Sequence, residues 1–202
     1  MTPGERRLSI PGPAGALEIA LNVPPVAPRG IVLVAHPHPQ QGGTLNNKVV
    51  QTLAKTFAAL GYAAARFNFR GVAGSEGVFD GGVGETDDAL AALAYAKQEF
   101  GELPVVLAGF SFGSFVQTRV AQTITAERMV LVGPAVGRFA VQTVPADTIV
   151  IHGEQDDVVP LADVLSWARP QQLPIIVFPG CGHFFHGRLL QLQSVIAGMW
   201  HR

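Results

Sequence analysis

Between Val105 and Ser114 the chain reads Val-Val-Leu-Ala-Gly-Phe-Ser-Phe-Gly-Ser, an apolar run that leads straight into a Gly-x-Ser-x-Gly turn. The run suits a strand covered on both faces, and Phe115, Val116, Val120 and Ala121 behind it suit a helix. Glycine on both sides of Ser111 is what a tight strand-to-helix reversal requires, because a Cβ at Gly109 or Gly113 would collide with the neighbouring strand or helix. Ser111 then adopts a strained backbone conformation that pushes its Oγ out of the turn, at a helix start whose dipole favours developing negative charge. Such a hydroxyl becomes a nucleophile only if the rest of the chain supplies a base, an acid and an oxyanion site.

The flanking sequence says what kind of sheet holds this turn. Gly30-Ile31-Val32-Leu33-Val34-Ala35, Tyr62 to Asn68, Met129 to Val132, Thr148 to His152 and Pro174 to Phe178 are further strand candidates. Helical patterns run from Thr44 as cap to about Leu60, from about Glu85 to Phe100, and over Leu189 to Met199. Strands alternating with helices argue for βαβ units and an open, mostly parallel, twisted sheet with helices on both faces. Residues 6 to 22, turning at Pro11-Gly12-Pro13-Ala14-Gly15, form an antiparallel edge hairpin in this reading. Charged residues are 14% and hydrophobic residues 48% of the 202, against roughly a quarter charged in average domains, so much of the chain is buried. That length suits one domain, residues 1–202.

Composition also excludes partners. A formal charge of −1 leaves no basic face for nucleic acid and no polybasic patch for anionic lipid. Met1 to Arg7 is not followed by the apolar core of a secretory signal, and no stretch approaches the roughly 18 apolar residues that span a bilayer. The single Cys181 makes no internal disulfide, so a cytoplasmic protein is the simplest expectation. Low charge content favours a homodimer, although a large core explains it as well. The glycine-rich Arg70 to Gly77 lacks the Gly-Lys-Ser/Thr ending of a phosphate loop, which argues against nucleotide binding.

In open α/β sheets the groups that activate Ser111 emerge at the carboxyl ends of strands. Gly153-Glu154-Gln155-Asp156-Asp157-Val158-Val159-Pro160 and Gly180-Cys181-Gly182-His183 both follow predicted strands. With the Gly109 to Gly113 turn they stand in the order Ser, Asp, His, and over essentially its whole length the chain resembles the α/β-hydrolase superfamily, in particular its small, lidless serine hydrolases. The resemblance implies Ser111 as nucleophile, His183 as base and Asp156 as acid. Asp157, beside the acid, reads as a loop or helix-capping residue, and His186, a rival base three residues on, lies where the last helix begins and reads as a surface or capping residue. It implies one oxyanion donor at the Phe112 amide and another in the loop after the strand ending at Ala35. There Pro37 and Pro39 have no N–H, which leaves His38 as leading donor and Gln40 as second.

His36, Gln40, Phe110, Phe184 and Phe185 are the expected pocket residues, with His36 also able to brace its loop and the phenylalanines also able to be core. A metal site built on His36, His38 and His152 lacks a carboxylate partner, and Cys181 has no elbow to present it. Gly133 to Asp147 is too short for a lid domain. The expectation is a serine hydrolase of small carboxylic esters or thioesters, with no cofactor and no metal. A non-catalytic binding protein, an acyltransferase or a peptidase of the same fold is the alternative.

Overall fold

The structure, a computed structural model, describes residues 4–200. The first three residues, part of the amino-terminal stretch read above for a secretory signal, and the last two lie outside the described residues. Eight strands form one sheet: β1 (Gly4–Gly12), β2 (Gly15–Val23), β3 (Ile31–Ala35), β4 (Ala63–Phe67), β5 (Val105–Phe110), β6 (Arg128–Val132), β7 (Ile149–Gly153) and β8 (Ile175–Phe178). Their spatial order is β1-β2-β4-β3-β5-β6-β7-β8. The β1–β2 hairpin is antiparallel and joins β4 antiparallel, while β4 through β8 run parallel.

Between the strands run α1 (Lys48–Ala59), α2 (Val83–Phe100), α3 (Phe112–Val120), α4 (Leu161–Ala168) and α5 (Leu189–Met199). The two-residue period of the strands divides the core. Leu33, Ala35, Leu107 and Leu131 pack with Ala89, Ala92 and Leu93 of α2 and Phe115 and Val116 of α3. Val32, Val34, Val106, Ala108, Val130 and Val132 pack on the other face with Leu53 and Phe57 of α1 and Leu192 and Ile196 of α5. Burial on both faces is why these strands read as continuous apolar runs.

β3 and β5 are neighbours, with Ala35 opposite Gly109, although β4 lies between them in sequence on the far side of β3. The chain leaves β3 in one direction and returns on its other side, so the carboxyl ends of β3 and β5 flank the crevice where open sheets bind ligands. The loop beginning at His36 and the turn at Ser111 both open there.

Three local expectations differ from the structure. The first helix starts at Lys48 because Asn47, rather than Thr44, caps it by accepting the Val49 and Val50 amides at 2.9 and 3.4 Å. Residues 44 to 46 are held outside the helix: the Leu45 amide donates to Asn68 Oδ1 at 2.8 Å, and its carbonyl accepts from buried Arg66 at 2.8 Å. α2 begins earlier than Glu85, whose carboxylate closes back on the amides of Asp80 and Gly82 at 2.9 and 2.6 Å. α4 has no counterpart among the helical patterns read from the sequence; it is a short surface helix, with only Val164 and Ala168 of its eight residues buried.

The glycine-rich loop is a packing device. Arg70 makes a two-pronged ion pair with buried Asp88 of α2 (3.0 and 2.9 Å), and Ser75 and Glu76 receive the amides of Glu18 and Ala16 on the edge hairpin. These contacts tie the loop to α2 on one side and β2 on the other.

Candidate active site

β5 ends at Phe110, and Ser111 follows with φ 55° and ψ −118°, a left-handed conformation that a residue with a Cβ adopts only under constraint. The constraint is steric. A Cβ on Gly109 would lie 2.6 Å from the backbone of Gly113 and Ser114, and one on Gly113 would lie 2.2 Å from the Ala35 carbonyl oxygen. The reversal therefore closes only with glycine at both places, and it presents Ser111 Oγ above the carboxyl end of β5.

The two loops at the far end of the sheet are locked together before they reach Ser111. β7 and β8 pair Gly153 with Phe178, and the Glu154 and Gln155 amides donate to the Phe178 and Cys181 carbonyls at 3.0 and 2.9 Å. Glu154 Oε2 accepts the Gly180 amide at 2.8 Å. Within this frame Asp156 Oδ1 accepts the amides of Val158 and Val159 at 2.9 and 2.7 Å, which turns Oδ2 towards His183. His183 Nδ1 lies 2.7 Å from Asp156 Oδ2, and His183 Nε2 lies 3.0 Å from Ser111 Oγ. Paired with a carboxylate, Nδ1 carries the proton and Nε2 is left to accept from the hydroxyl. Burial pushes the Asp156 carboxyl up, but the bonds from His183 and the Val159 amide outweigh it and hold the pKa below the ordinary value.

Sequence reasoning weighed His152 only as a metal ligand, and the structure gives it other work. Its Nε2 lies 2.8 Å from the Val159 carbonyl, so it carries the proton there, and 3.4 Å from Asp156 Oδ2. The side chain is fully buried and its Nδ1 has no partner among the described residues. A phenylalanine would fill the same space without an orphaned nitrogen but could not donate to the Val159 carbonyl. The sequence signal was its place four residues before Asp156 at the end of a strand. Among the described residues no group of three or more His, Cys, Asp or Glu is disposed to hold a metal ion.

The amides expected to hold an oxyanion differ in availability. Phe112 is the first residue of α3, and neither its amide nor that of His38 donates a hydrogen bond among the described residues. The Gln40 amide is occupied by His38 Nδ1 at 3.2 Å.

A cleft of about 290 Å³ opens over Ser111 and Phe112, lined by His38, Gln41, Ala135, Arg138, Phe139 and Val158. None of the five expected pocket residues lines it. His36 is fully buried, its Nδ1 bonded to the Pro37 carbonyl (2.6 Å) and its Nε2 accepting the Phe69 amide (3.0 Å), so it braces the loop. Accepting the Phe69 amide at Nε2 requires a neutral ring, and burial depresses its pKa to about 3 against the opposing pull of the Pro37 carbonyl. Gln40 projects from the outer side of a short 3₁₀ turn, one position away from Gln41. Phe110 lies under the His183 ring at 4.9 Å, facing α1 and α5. Phe185 packs on Phe178 in the same core, with its φ at 52° turning it inward. Phe184 is half exposed and stands edge-on to His183 at 5.1 Å, beside the cleft. Beside Ser111 and Phe112, the cleft is lined by Ala135, Arg138 and Phe139 from the loop after β6, His38 and Gln41 from the loop after β3, and Val158 from the loop after β7, and nothing in the sequence distinguishes Arg138 and Phe139 from other loop residues.

A strained serine at the switch point of a mostly parallel sheet, hydrogen-bonded to a histidine that a buried aspartate holds, defines a class: this is an α/β hydrolase of the serine-hydrolase kind, without a lid. More particularly, the chain belongs to the hydrolase family described as serine aminopeptidase, S33, whose model matches residues 26–146. It is 36% identical to an uncharacterised protein of Rickettsia prowazekii, over 92% of this chain and 84% of that one. Among solved structures, it is similar to an α/β serine hydrolase homologue from Coxiella burnetii, with 35% identity, a TM-score of 0.92 and full coverage of both chains. A lidless α/β serine hydrolase from Xanthomonas campestris shares 32% identity at a TM-score of 0.92, over 98% of this chain and 94% of that one. The family match contains Ser111 and ends before Asp156 and His183, whose association rests on the geometry above. No helix among the described residues is long and apolar enough to cross a membrane.

Proposed function

We propose that this protein is a serine acyl hydrolase of small carboxylic esters or thioesters, with Ser111, His183 and Asp156 as its catalytic triad. The observation that carries the reading is the unbroken path from Ser111 Oγ to His183 Nε2 (3.0 Å) and from His183 Nδ1 to Asp156 Oδ2 (2.7 Å). Ser111 Oγ attacks the carbonyl carbon as its proton passes to His183 Nε2, and the Phe112 and His38 amides receive the oxyanion. Collapse of the tetrahedral adduct expels the alcohol or thiol, which takes the proton from His183 and leaves an acyl-serine. His183 then draws a proton from water, whose oxygen attacks the acyl carbon, and release of the carboxylic acid restores Ser111. Asp156 stays ionised throughout and stabilises the imidazolium.

The family description favours a second reading, hydrolysis of the amide after an N-terminal residue. An aminopeptidase has to hold an α-ammonium group, which calls for a carboxylate in the cleft. Among the described residues that line this cleft, the charged side chain is the cation of Arg138, so the ester reading is preferred.

A fluorophosphonate probe is expected to label Ser111, with the adduct located by mass spectrometry and abolished in Ser111→Ala. Labelling that persists in that variant, or that never occurs, overturns the reading. Hydrolysis of aminoacyl p-nitroanilides in preference to p-nitrophenyl esters would select the aminopeptidase instead.

A further inference from the structure

The loop after β6 is folded into a fixed turn. The Val136 amide donates to the Pro134 carbonyl at 2.7 Å, the Phe139 amide donates to the Ala135 carbonyl at 3.2 Å, and Gly137 takes φ 81°. The Phe139 ring stacks on Phe115 at 4.9 Å and meets Phe112 edge-on at 5.0 Å, so the turn is anchored to the elbow helix itself. Arg138 sits at its tip and lines the same cleft as Ser111. Its Nε donates to the Val158 carbonyl at 3.1 Å, in the segment that also holds Asp156.

That single bond tethers the exposed guanidinium at Nε and leaves the two terminal nitrogens without a partner among the described residues. Two of the nearby acids are committed elsewhere. Asp156 is bonded to His183 and two amides, and Glu85 to the amides of Asp80 and Gly82. Asp163 lies beside Gly137, and among the described residues no ion pair joins it to Arg138. A planar fork held by its stem, with two parallel donors free, matches a carboxylate that accepts both.

We propose that Arg138 is an anion-binding subsite of the cleft and that the preferred substrates are small esters or thioesters carrying a carboxylate. This rests on the acyl-hydrolase reading. The carboxylate docks on the terminal nitrogens of Arg138 while the ester carbonyl reaches Ser111, and a cleft of about 290 Å³ accommodates a short chain between them. The half-buried Phe139 ring on the cleft wall takes the methylene groups between the two ends.

The test compares kcat/KM, followed by proton release, for two pairs matched in length. Monoethyl adipate against ethyl hexanoate places the charge on the acyl side, and 4-acetoxybutanoate against butyl acetate places it on the alcohol side. The wild type is expected to favour the anion by about tenfold or more in at least one pair, a preference that weakens as NaCl is raised. Arg138→Gln is expected to abolish the preference, and Arg138→Lys to retain part of it. No preference in either pair, no turnover of either carboxylate ester by enzyme that fluorophosphonate labels, or a preference that survives Arg138→Gln overturns the proposal. A loss in Arg138→Gln shared equally by charged and neutral esters also overturns it, because that is the result of a merely structural role. Failure of the wild type both to hydrolyse any of the four esters and to be labelled at Ser111 overturns the hydrolase reading, and the subsite with it.

Discussion

Gly113, at the start of the elbow helix, meets the end of β3 so closely that a Cβ on it would stand 2.2 Å from the carbonyl oxygen of Ala35. The clash is with backbone, which side-chain rotation cannot relieve. Gly113→Ala is therefore expected to cost about 3 kcal/mol or more, at the upper end of overpacking effects, measured by urea denaturation. Gly198, exposed in α5 with nothing within 4 Å of its Cβ position, is the opposite case. Gly198→Ala is expected to stabilise by roughly 0.5–1 kcal/mol through helix propensity alone.

Ser111 is held at φ 55°, so its own side chain strains the fold. Ser111→Gly is expected to abolish hydrolysis, with a loss of at least about 10⁴-fold. The same variant should unfold later than Ser111→Ala by about 1 kcal/mol, because glycine adopts this conformation without penalty. Equal midpoints for the two variants would show that the turn carries no strain at this residue.

His152 acts through the acid loop, donating to the Val159 carbonyl and facing Asp156 Oδ2. His152→Phe preserves the ring and removes the donor, leaving that carbonyl unpaired in the core. The expectation is a fall of about tenfold in kcat with KM little changed, together with roughly 1–3 kcal/mol of lost stability. A variant with unaltered kcat would reduce His152 to packing.

His36 gives the acid limb of stability. Its pKa is about 3 when folded and about 6.5 when free, so between these values the unfolded chain binds a proton that the folded chain refuses. Stability is thus fully present above the free value and declines as pH falls through the window, by up to roughly 1.4 kcal/mol per pH unit. Asp156 and His152, whose pKa values are also lowered, add slopes of the same sign. In His36→Asn the slope between pH 6 and pH 4 is expected to be shallower by about one proton. Identical slopes in the two proteins would refute the assignment.

How much of this was legible beforehand depends on the range of the interaction. The elbow was readable because its requirement is local: two glycines and a serine between an apolar run and a helical pattern already imply a reversal that only glycine permits. The order of Ser111, Asp156 and His183 was readable because each follows a strand. The start of α1 was not, since Thr44 and Asn47 are both good caps. What chose between them was Arg66 and Asn68, more than twenty residues away, binding the Leu45 backbone.

By itself, then, the sequence determined the doubly covered sheet, the edge hairpin, the elbow and the residues that follow each strand, because buried strands and tight turns write their constraints into adjacent residues. Only the tertiary structure decided which side chains line the cleft. His36, Phe110 and Phe185 point into the protein, while Arg138 and Phe139 line the cleft over the nucleophile from a loop with no periodicity to announce it. The physical reason is that a side chain's direction at the end of a strand or in a turn is set by what packs behind it. For Arg138 that is the stacking of Phe139 on Phe115 and one hydrogen bond to Val158, both made across the fold.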